Sequence, residues 1–286
     1  MNKQLQREIT IAGPNYFGFA STLRIRPQSQ SKEWLMQTPC GGVVPITPLI
    51  ADSARRRMCL SSHNSKIEVF EHIGCLQFMG LKGVELEVKD GFPKGFPPYH
   101  GRAHELWEAI KPHCVDLPST LPAYTPSQRA SWYYPETRNG EYAYTRIEPN
   151  ETGKLILKIS VNYKGLGQRK RTFDLPNSQL LEEIFKARTQ GYPLWLKKFS
   201  RTGSFLGIWK NHDRIHWPEG ENDSSALDGF ILHRAQDLLG TLSLLCKDGL
   251  LSATVTSNNS GHEADVMAVQ EAYRTLRQIG GYKMAA

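Results

Sequence analysis

Residues 155–162, Leu-Ile-Leu-Lys-Ile-Ser-Val-Asn, place a large apolar side chain at every second position from Leu155 to Val161. This alternation predicts a strand with one buried face. A charged turn then leads to Arg171-Thr172-Phe173, which is predicted to return as the antiparallel partner. A helix is predicted to begin near Asn177, a residue type that caps helices well. A hairpin followed directly by a helix favours an α+β layer over an alternating parallel sheet.

The rest of the chain repeats this mixture of strands and helices. Residues 22–26 and 84–88 alternate like strands, and the apolar spacing predicts helices at residues 71–81, 103–110, 230–245 and, closing the chain, 266–276. The predicted fold class is therefore α+β. We expect two layered domains, each a mainly antiparallel sheet packed with helices, with an active-site cleft at the domain interface.

A proline-rich segment, residues 117–126, is the predicted domain boundary. It carries Pro118, Pro122 and Pro126, and proline neither propagates a helix nor donates a hydrogen bond to a sheet. The segment is therefore predicted to lie outside helices and sheets. It divides the chain into a first domain, residues 1–118, and a second domain, residues 127–286.

The composition predicts a globular chain with reduced thiols. No apolar run among the 286 residues is long enough for a signal peptide or a membrane span, so a cytoplasmic protein is expected. Five cysteines are scattered singly, and Cys75 and Cys246 are predicted to be core thiols. The net charge of +7 is compatible with a nucleotide, an acidic lipid surface or nucleic acid. The densest basic runs are Arg55-Arg56-Arg57 and Arg169-Lys170-Arg171, and the second reads as a solvated turn, so no nucleic-acid partner is expected.

Two residues of the predicted long helix have the spacing of metal ligands. His233 and Asp237 are four residues apart and therefore project from one side of the helix. Zinc accepts imidazole nitrogen and carboxylate oxygen, and a catalytic site needs three such ligands. The spacing alone fits a solvated helix face equally well. Two further elements add to it: Glu71-His72 follows a predicted strand, and Ser260-Gly261-His262 stands between a predicted strand and a helix.

Four segments carry a family resemblance. They are, in chain order, Phe-Glu-His-Ile-Gly-Cys-Leu at residues 70–76, Ala-Arg-Thr at 187–189, His-Arg-Ala-Gln-Asp-Leu-Leu-Gly at 233–240 and Ser-Gly-His at 260–262. Their order and separations resemble the UDP-3-O-acyl-N-acetylglucosamine deacetylases, the LpxC-type zinc enzymes of lipid A synthesis. A single short match is weak evidence, whereas an ordered set covering nearly the whole chain is specific.

The resemblance implies an activity and a role for each matching residue. The activity is hydrolysis of the N-acetyl group of a UDP-linked, acylated glucosamine, so a small-molecule substrate is expected and a transient contact with a membrane surface is compatible with it. The implied roles are Zn²⁺ ligands (His72, His233 and Asp237), general base (Glu71), oxyanion stabilisation (Thr189), general acid (His262) and substrate binding (Arg234 and Tyr192). The oligomeric state is left open.

Several positions depart from the family pattern. Thr241 stands where the family has an Asp thought to support the general-acid histidine, and Asn259 stands where it has a Lys. His100-Gly101-Arg102 replaces Asp-Gly-Ser. Residues 204–214 differ from the family's Gly- and Val-rich insert, which forms the acyl-chain passage. A shorter acyl chain, or none, is the resulting hypothesis.

These departures keep two rival interpretations open. One is a zinc amidohydrolase with a different, less acylated substrate. The other is a non-catalytic homologue that binds a sugar nucleotide or a protein.

The loss of a carboxylate at Thr241 also predicts a lower pKa for His262, because an imidazolium without a carboxylate partner is less stabilised.

Overall fold

The fold is described by a computed structural model of the chain. The described residues are 2–14, 20–28, 32–38, 41–54, 57–62, 65–68, 70–89, 103–117, 120–138, 141–163, 166–175, 177–190, 215–216, 223–246 and 249–283. Within these ranges the helices are α1 (Glu71–Gly74), α2 (Ala103–Ile110), α3 (Ser178–Phe185), α4 (Ala226–Leu242) and α5 (His262–Tyr273). They accompany antiparallel and mixed sheets, which confirms the predicted α+β class.

The described residues of the first half of the chain form three sheets. The strands are β1 (Asn2–Leu5), β2 (Ile9–Pro14), β3 (Ala20–Pro27), β4 (Leu35–Gln37), β5 (Val43–Pro45), β6 (Ala51–Ala54), β7 (Arg57–Ser62), β8 (Ser65–Glu68), β9 (Leu81–Lys82), β10 (Val84–Lys89) and β11 (Cys114–Leu117). The five-stranded sheet has the order β2-β3-β10-β4-β5, and the smaller sheets have the orders β11-β1-β9 and β6-β7-β8. Val84, Leu86 and Val88 are all buried, as their alternation predicts.

The second half contains another five-stranded sheet, against which helices α4 and α5 pack. The strands are β12 (Thr120–Pro126), β13 (Ala130–Arg138), β14 (Glu141–Pro149), β15 (Leu155–Tyr163), β16 (Gly167–Leu175), β17 (Thr189–Gln190), β18 (Ile215–His216), β19 (Leu250–Leu251), β20 (Ala253–Asn258) and β21 (Leu276–Lys283). The five-stranded sheet has the order β13-β14-β20-β15-β16. The predicted hairpin is confirmed, since β15 pairs antiparallel with β16. The predicted cap is confirmed too: Asn177 Oδ1 accepts hydrogen bonds from the N–H groups of Gln179 and Leu180.

Residues 120–126 of the proline-rich segment form a strand, so the prediction that the segment lies outside the sheets is wrong. β12 is the middle strand of the sheet β19-β12-β21. The prolines are tolerated because β19 pairs only with Ala123 and Tyr124, so Pro122 and Pro126 each face a partner strand on one side alone. The register against β21 also shifts between Ala123 and Tyr124. The division into residues 1–118 and 127–286 stays a prediction.

Three predicted helices end earlier than expected. The long helix, predicted to reach residue 245, ends at Leu242 and continues as a 3₁₀ turn over Ser243–Leu245. In place of one helix over residues 71–81, α1 spans one turn and continues as a 3₁₀ turn over Cys75–Met79. Gly80 then ends it with a left-handed backbone (φ 92°), and Leu81 begins β9. The closing helix ends at Tyr273, and Leu276 begins strand β21. The apolar spacing could not distinguish a buried strand residue from one more helical turn.

A close contact between α1 and α4 joins the two halves. A Cβ atom on Gly240 would lie 2.0 Å from the Glu71 carbonyl oxygen and 2.5 Å from its Cα. Only glycine allows so close a backbone approach. Gly74 contributes from the α1 side, where a Cβ would lie 2.8 Å from the Gly240 carbonyl oxygen. The halves share one apolar core, in which Cys75 and Cys246 are buried as predicted. In the ranges given above, no helix has the length and apolarity that crossing a membrane requires.

Candidate metal centre

Helix α4 carries two ionisable residues in the interior of the molecule. His233 is 5% exposed and Asp237 is 7% exposed. They lie one turn apart, with His233 Nε2 3.4 Å from Asp237 Oδ2. Burial of ionisable side chains costs free energy unless something compensates for it. The pair is therefore a candidate functional site.

Helix α1 brings Glu71 and His72 to the same place. His72 Nε2 lies 3.8 Å from Asp237 Oδ1, and the rings of His72 and His233 are arranged edge to face, with centroids 6.0 Å apart. Glu71 is 3% exposed, and its Oε2 accepts a hydrogen bond of 3.1 Å from the Met58 backbone N–H. Strand β7, which contains Met58, therefore holds the Glu71 carboxylate in place.

The third imidazole comes from the beginning of α5. Gly261 caps this helix with extended backbone, and His262 is its first residue. His262 Nε2 lies 3.7 Å from Asp237 Oδ2 and 3.9 Å from Glu71 Oε1. Five of the residues proposed from the sequence thus form one cluster, with Glu71 and His72 from the first half and His233, Asp237 and His262 from the second.

Burial dominates the electrostatics of this cluster. It lowers the pKa of His233 to about 4, with a further contribution from the positive charge of Arg234. Burial also lowers the pKa of His262, although the charge of Asp237 opposes this shift. The pKa of Asp237 is raised by burial, and His262 and His72 act against the rise. Neutral imidazoles, which metal coordination requires, are therefore favoured near neutral pH.

The geometry of the cluster is compatible with a metal site. One ligand atom from each of His72, His233 and Asp237 lies within 4.8 Å of the other two. The ligand atoms of a tetrahedral zinc site lie about 3.4 Å apart, given bonds of about 2.1 Å. A small inward movement of the side chains is thus sufficient. Asp237 Oδ1 is buried and has no hydrogen-bond partner among the described residues, as expected of an oxygen that receives a cation.

Arg234, the residue after His233, lies in a buried ion pair. It is 7% exposed, and its Nη2 contacts Oδ1 of Asp265, which is fully buried. Burial lowers the pKa of Arg234, but the charge and hydrogen bond of Asp265 outweigh this and raise it. The contact of Arg234 with a substrate stays a prediction. Asp265 was not foreseen, because the only sequence signal is an acidic residue in the first turn of α5, where such residues are common.

Thr241 is fully buried one turn beyond Asp237. Its hydroxyl donates a hydrogen bond of 3.2 Å to the Asp237 backbone carbonyl. His262 Nδ1 is buried and has no hydrogen-bond partner in the described part of the chain. The pKa of His262 is lowered from its ordinary value, mainly by burial. That the missing carboxylate at position 241 lowers it relative to the family stays a prediction.

The remaining predicted residues are described in part or not at all. Thr189 lies in β17, which pairs in parallel with β18, and its role stays a prediction. Tyr192, His100-Gly101-Arg102 and residues 204–214 lie outside the described residues. The predictions that concern substrate binding and acyl-chain length therefore remain predictions.

Together the fold and the cluster define an α+β protein with a candidate metal centre between its two halves. A family model described as UDP-3-O-acyl N-acetylglycosamine deacetylase (LpxC) matches residues 2–274. The chain therefore belongs to this deacetylase family, which confirms the resemblance seen in the sequence.

Three relatives, each named UDP-3-O-acyl-N-acetylglucosamine deacetylase, show how far this chain has diverged. The protein of Campylobacter fetus is 29% identical over 119 residues, 38% of this chain and 38% of that protein. The protein of Nautilia profundicola is 26% identical over 138 residues, 48% and 46% of the two chains. The protein of Nitratiruptor is 27% identical over 144 residues, 48% and 47% of the two chains. This chain thus spans less than half the length of each of these relatives.

Proposed function

We propose that this chain is a zinc-dependent deacetylase that hydrolyses the N-acetyl group of a UDP-linked, 3-O-acylated N-acetylglucosamine. The observation that carries the proposal is the convergence of His72, His233 and Asp237 with Glu71 and His262 in one buried cluster. Family membership supports the same reaction, since the relatives are named for it. His72, His233 and Asp237 are the proposed zinc ligands. Bound there, zinc would supply a Lewis acid and lower the pKa of a water molecule toward neutrality.

Glu71 is the proposed general base. Met58 holds one carboxylate oxygen, Oε2, and Oε1 faces His262. Glu71 accepts a proton from the attacking water, a carbon–oxygen bond forms at the amide carbon, and the amide nitrogen later leaves as the amine. The Thr189 hydroxyl, assigned by its place in the family motif, stabilises the oxyanion.

His262 is the proposed general acid. It donates a proton to the departing nitrogen as the carbon–nitrogen bond breaks, so that acetate and the amino sugar are released. Its Nε2 lies 3.9 Å from Glu71 Oε1. After a small movement of the side chains, Glu71 can therefore pass the proton that it took from water to His262. Burial favours neutral His262, whereas Asp237 favours the protonated ring that this role requires.

Metal analysis and an acetate-release assay on the same samples test the proposal. We expect about one zinc per wild-type chain, and less than about a tenth of that in His233→Ala and Asp237→Ala, because losing one of three ligands removes most of the affinity. Acetate release should fall with the zinc content. His104→Ala, in α2, is the matched control and should keep both. Zinc content unaffected by the two ligand substitutions would refute the proposed centre.

A second candidate, a non-catalytic homologue that binds a sugar nucleotide, is favoured by one observation. Thr241 offers His262 no carboxylate, and His262 Nδ1 has no hydrogen-bond partner in the described part of the chain. Wild-type protein that holds stoichiometric zinc but releases no acetate from any of a panel of acylated and unacylated N-acetyl sugars would select this candidate. Release from unacylated sugars alone would instead select the amidohydrolase with a less acylated substrate.

A further inference from the structure

A closed ring of hydrogen bonds connects the beginning of α5 to β14 and α4. Arg234 Nη2 donates to Asp265 Oδ1 and, at 2.8 Å, to Ser260 Oγ. Thr145 Oγ1 lies 2.6 Å from Asp265 Oδ1 and 2.8 Å from Ser260 Oγ. The carboxylate can only accept, so the single Thr145 proton goes to it and the Thr145 oxygen accepts from Ser260. We call these four residues the α5 clamp.

Three of the four residues of the α5 clamp are buried and Ser260 is half-buried, so the network is stiff. Asp265 and Thr145 are fully buried, and Arg234 is 7% exposed. Breaking one member of a buried ion pair leaves an uncompensated charge, which costs several kcal/mol. Hydrogen bonds that involve charged groups are also shorter and stronger than neutral ones. The backbone segments that carry these side chains are thus held at fixed separations.

The α5 clamp fixes the backbone both before and after His262. Ser260 precedes His262 by two residues and Asp265 follows it by three, so the loop before α5 and the first turn of α5 are both fixed. The fixed points are Thr145 on β14 and Arg234 on α4. Arg234 is the chain neighbour of His233, so one network connects the proposed general acid to the helix that carries two of the proposed zinc ligands.

The α5 clamp offers a way to position His262 without a hydrogen bond to its ring Nδ1. Its Nδ1 has no hydrogen-bond partner among the described residues, so no such bond at that atom orients the ring. We infer that the α5 clamp sets the position of His262, and that Thr145 and Asp265 are positioning residues of the reaction. The inference rests on the proposed function. A displacement of about 1 Å in a catalytic group lowers a rate on the order of 100-fold.

Substitution of Thr145 tests the inference with little change in volume. Thr145→Val removes the hydroxyl but keeps the shape, and Thr145→Ser keeps the hydroxyl. We expect kcat to fall about 10- to 100-fold in Thr145→Val, with KM and zinc content within about twofold of wild type, and Thr145→Ser to restore kcat. Thr125→Val is the matched control. Thr125 is a fully buried threonine of β12 whose hydroxyl also takes part in a hydrogen bond, and its loss should leave kcat unchanged.

A second measurement does not depend on turnover. In zinc-loaded protein with ¹⁵N-labelled histidine, the His262 ring signals should shift or broaden in Thr145→Val and in Ser260→Ala, and return in Thr145→Ser. Ser260→Ala opens the same ring at a less buried position: it removes the bonds of Ser260 to Arg234 and Thr145, and its 2.9 Å contact with the Ser257 hydroxyl, but keeps those of Asp265. It serves if Thr145→Val does not fold. Unmoved His262 signals overturn the inference, as does a kcat loss equal in the Val and Ser variants. Wild-type protein that releases no acetate refutes the proposed function alone, and the ring signals still decide whether the α5 clamp positions His262.

Discussion

Thr241 and His262 show how one substitution can alter the acid–base balance of the site. A Thr→Asp change at position 241 would return the carboxylate that the family carries there. Among the described residues, the Thr241 hydroxyl donates a hydrogen bond only to the Asp237 backbone carbonyl, so its replacement removes one neutral hydrogen bond. A nearby carboxylate stabilises imidazolium and raises its pKa. His262 would then keep its proton to higher pH.

We therefore predict that Thr241→Asp moves the alkaline limb of the pH profile of kcat/KM upward by about one pH unit. The alkaline limb reports loss of the proton from the general acid, so a higher pKa must shift it to higher pH. Thr241→Asn, which has the same shape and no charge, is the control and should leave the limb in place. An alkaline limb in Thr241→Asp that stays at the wild-type pH or moves lower would contradict the prediction.

Asn259 is a departure that the backbone explains. It is the one non-glycine residue with a positive φ, 47°, in the described part of the chain. Asparagine adopts this left-handed conformation more readily than lysine, the family's residue here. Its backbone N–H donates to the Ser160 carbonyl at 2.9 Å, which fixes the turn between β20 and α5. The loss of a positive charge at this position therefore accompanies a turn that leads directly into the α5 clamp.

The sequence predicted the members of the candidate metal centre better than their surroundings. His72, His233, Asp237, Glu71 and His262 were found because they lie in four short segments whose order resembles the deacetylase family, whereas the spacing of His233 and Asp237 alone was weak evidence. Thr145 and Asp265 were missed because a threonine in a strand and an acid at the start of a helix are common, and only the packing of β14 against α5 gives them a function. Contacts between residues 120 positions apart leave no periodic signal.

At the scale of elements, the contact between α1 and α4 gives a sharp prediction. A Cβ at Gly240 would lie 2.0 Å from the Glu71 carbonyl oxygen, 2.5 Å from its Cα and 2.6 Å from its carbonyl carbon. These are backbone atoms and cannot rotate away. Gly240→Ala must therefore separate the helices. We expect it to lower the free energy of unfolding by about 3 kcal/mol or more, the upper end for overpacking.

The same substitution should also lower zinc binding, because His72 follows Glu71 and moves with it. Urea unfolding and zinc analysis of the purified variant measure the two effects. Gly42→Ala is the control, since among the described residues a Cβ there meets only the Thr38 hydroxyl oxygen, at 3.3 Å; it should change stability by less than about 1 kcal/mol. Gly240→Ala protein with unchanged stability and full zinc content would show that the helices do not meet as described.

Elements were predicted well where the pattern was long and poorly where prolines or short turns intervened. The hairpin of β15 and β16 and the helices α2, α3 and α4 follow from alternation, spacing and capping. β12 was missed because proline in a middle strand is rare. The sequence does not show that its neighbour β19 is only two residues long and so leaves the prolines unpaired on that side. The 3₁₀ turn after α1 was missed because apolar spacing does not distinguish it from an α-helix.

At the scale of the molecule, polar contacts hold the halves together around the site. Lys82 is buried in β9, and its Nζ donates a hydrogen bond of 2.8 Å to the Gly249 carbonyl oxygen. Gln270 of α5 donates to the carbonyl oxygens of Pro48 and Ala51. The metal cluster takes residues from both halves, so a bound cation would act as a further connection. Metal binding should therefore stabilise the whole fold.

The metal-free protein should in turn be sensitive to acid. The pKa of His233 is lowered to about 4 and that of His262 is also lowered, whereas an unfolded histidine titrates near 6.5. The contribution of these two histidines to the free energy of unfolding is therefore fully present above about pH 6.5. It is lost as the pH falls toward 4, because the unfolded chain binds protons that the folded chain does not bind. Asp237, whose pKa is raised, opposes this loss, since its folded form takes up a proton first.

We predict that metal-free protein loses about 2 kcal/mol of unfolding free energy between pH 7 and pH 5, the amount expected from His233 alone. Urea unfolding with a chelator at pH 7, 6 and 5 measures it. His233→Gln removes the imidazole that must stay neutral, so its unfolding free energy should depend less on pH, whereas His104→Gln in α2 should follow wild type. Saturating zinc should raise stability most at pH 7 and less at pH 5, because protons compete with the metal for the imidazoles. A metal-free protein equally stable at pH 5 and pH 7 would mean that the imidazoles are not desolvated together, and the buried cluster would lose its physical basis.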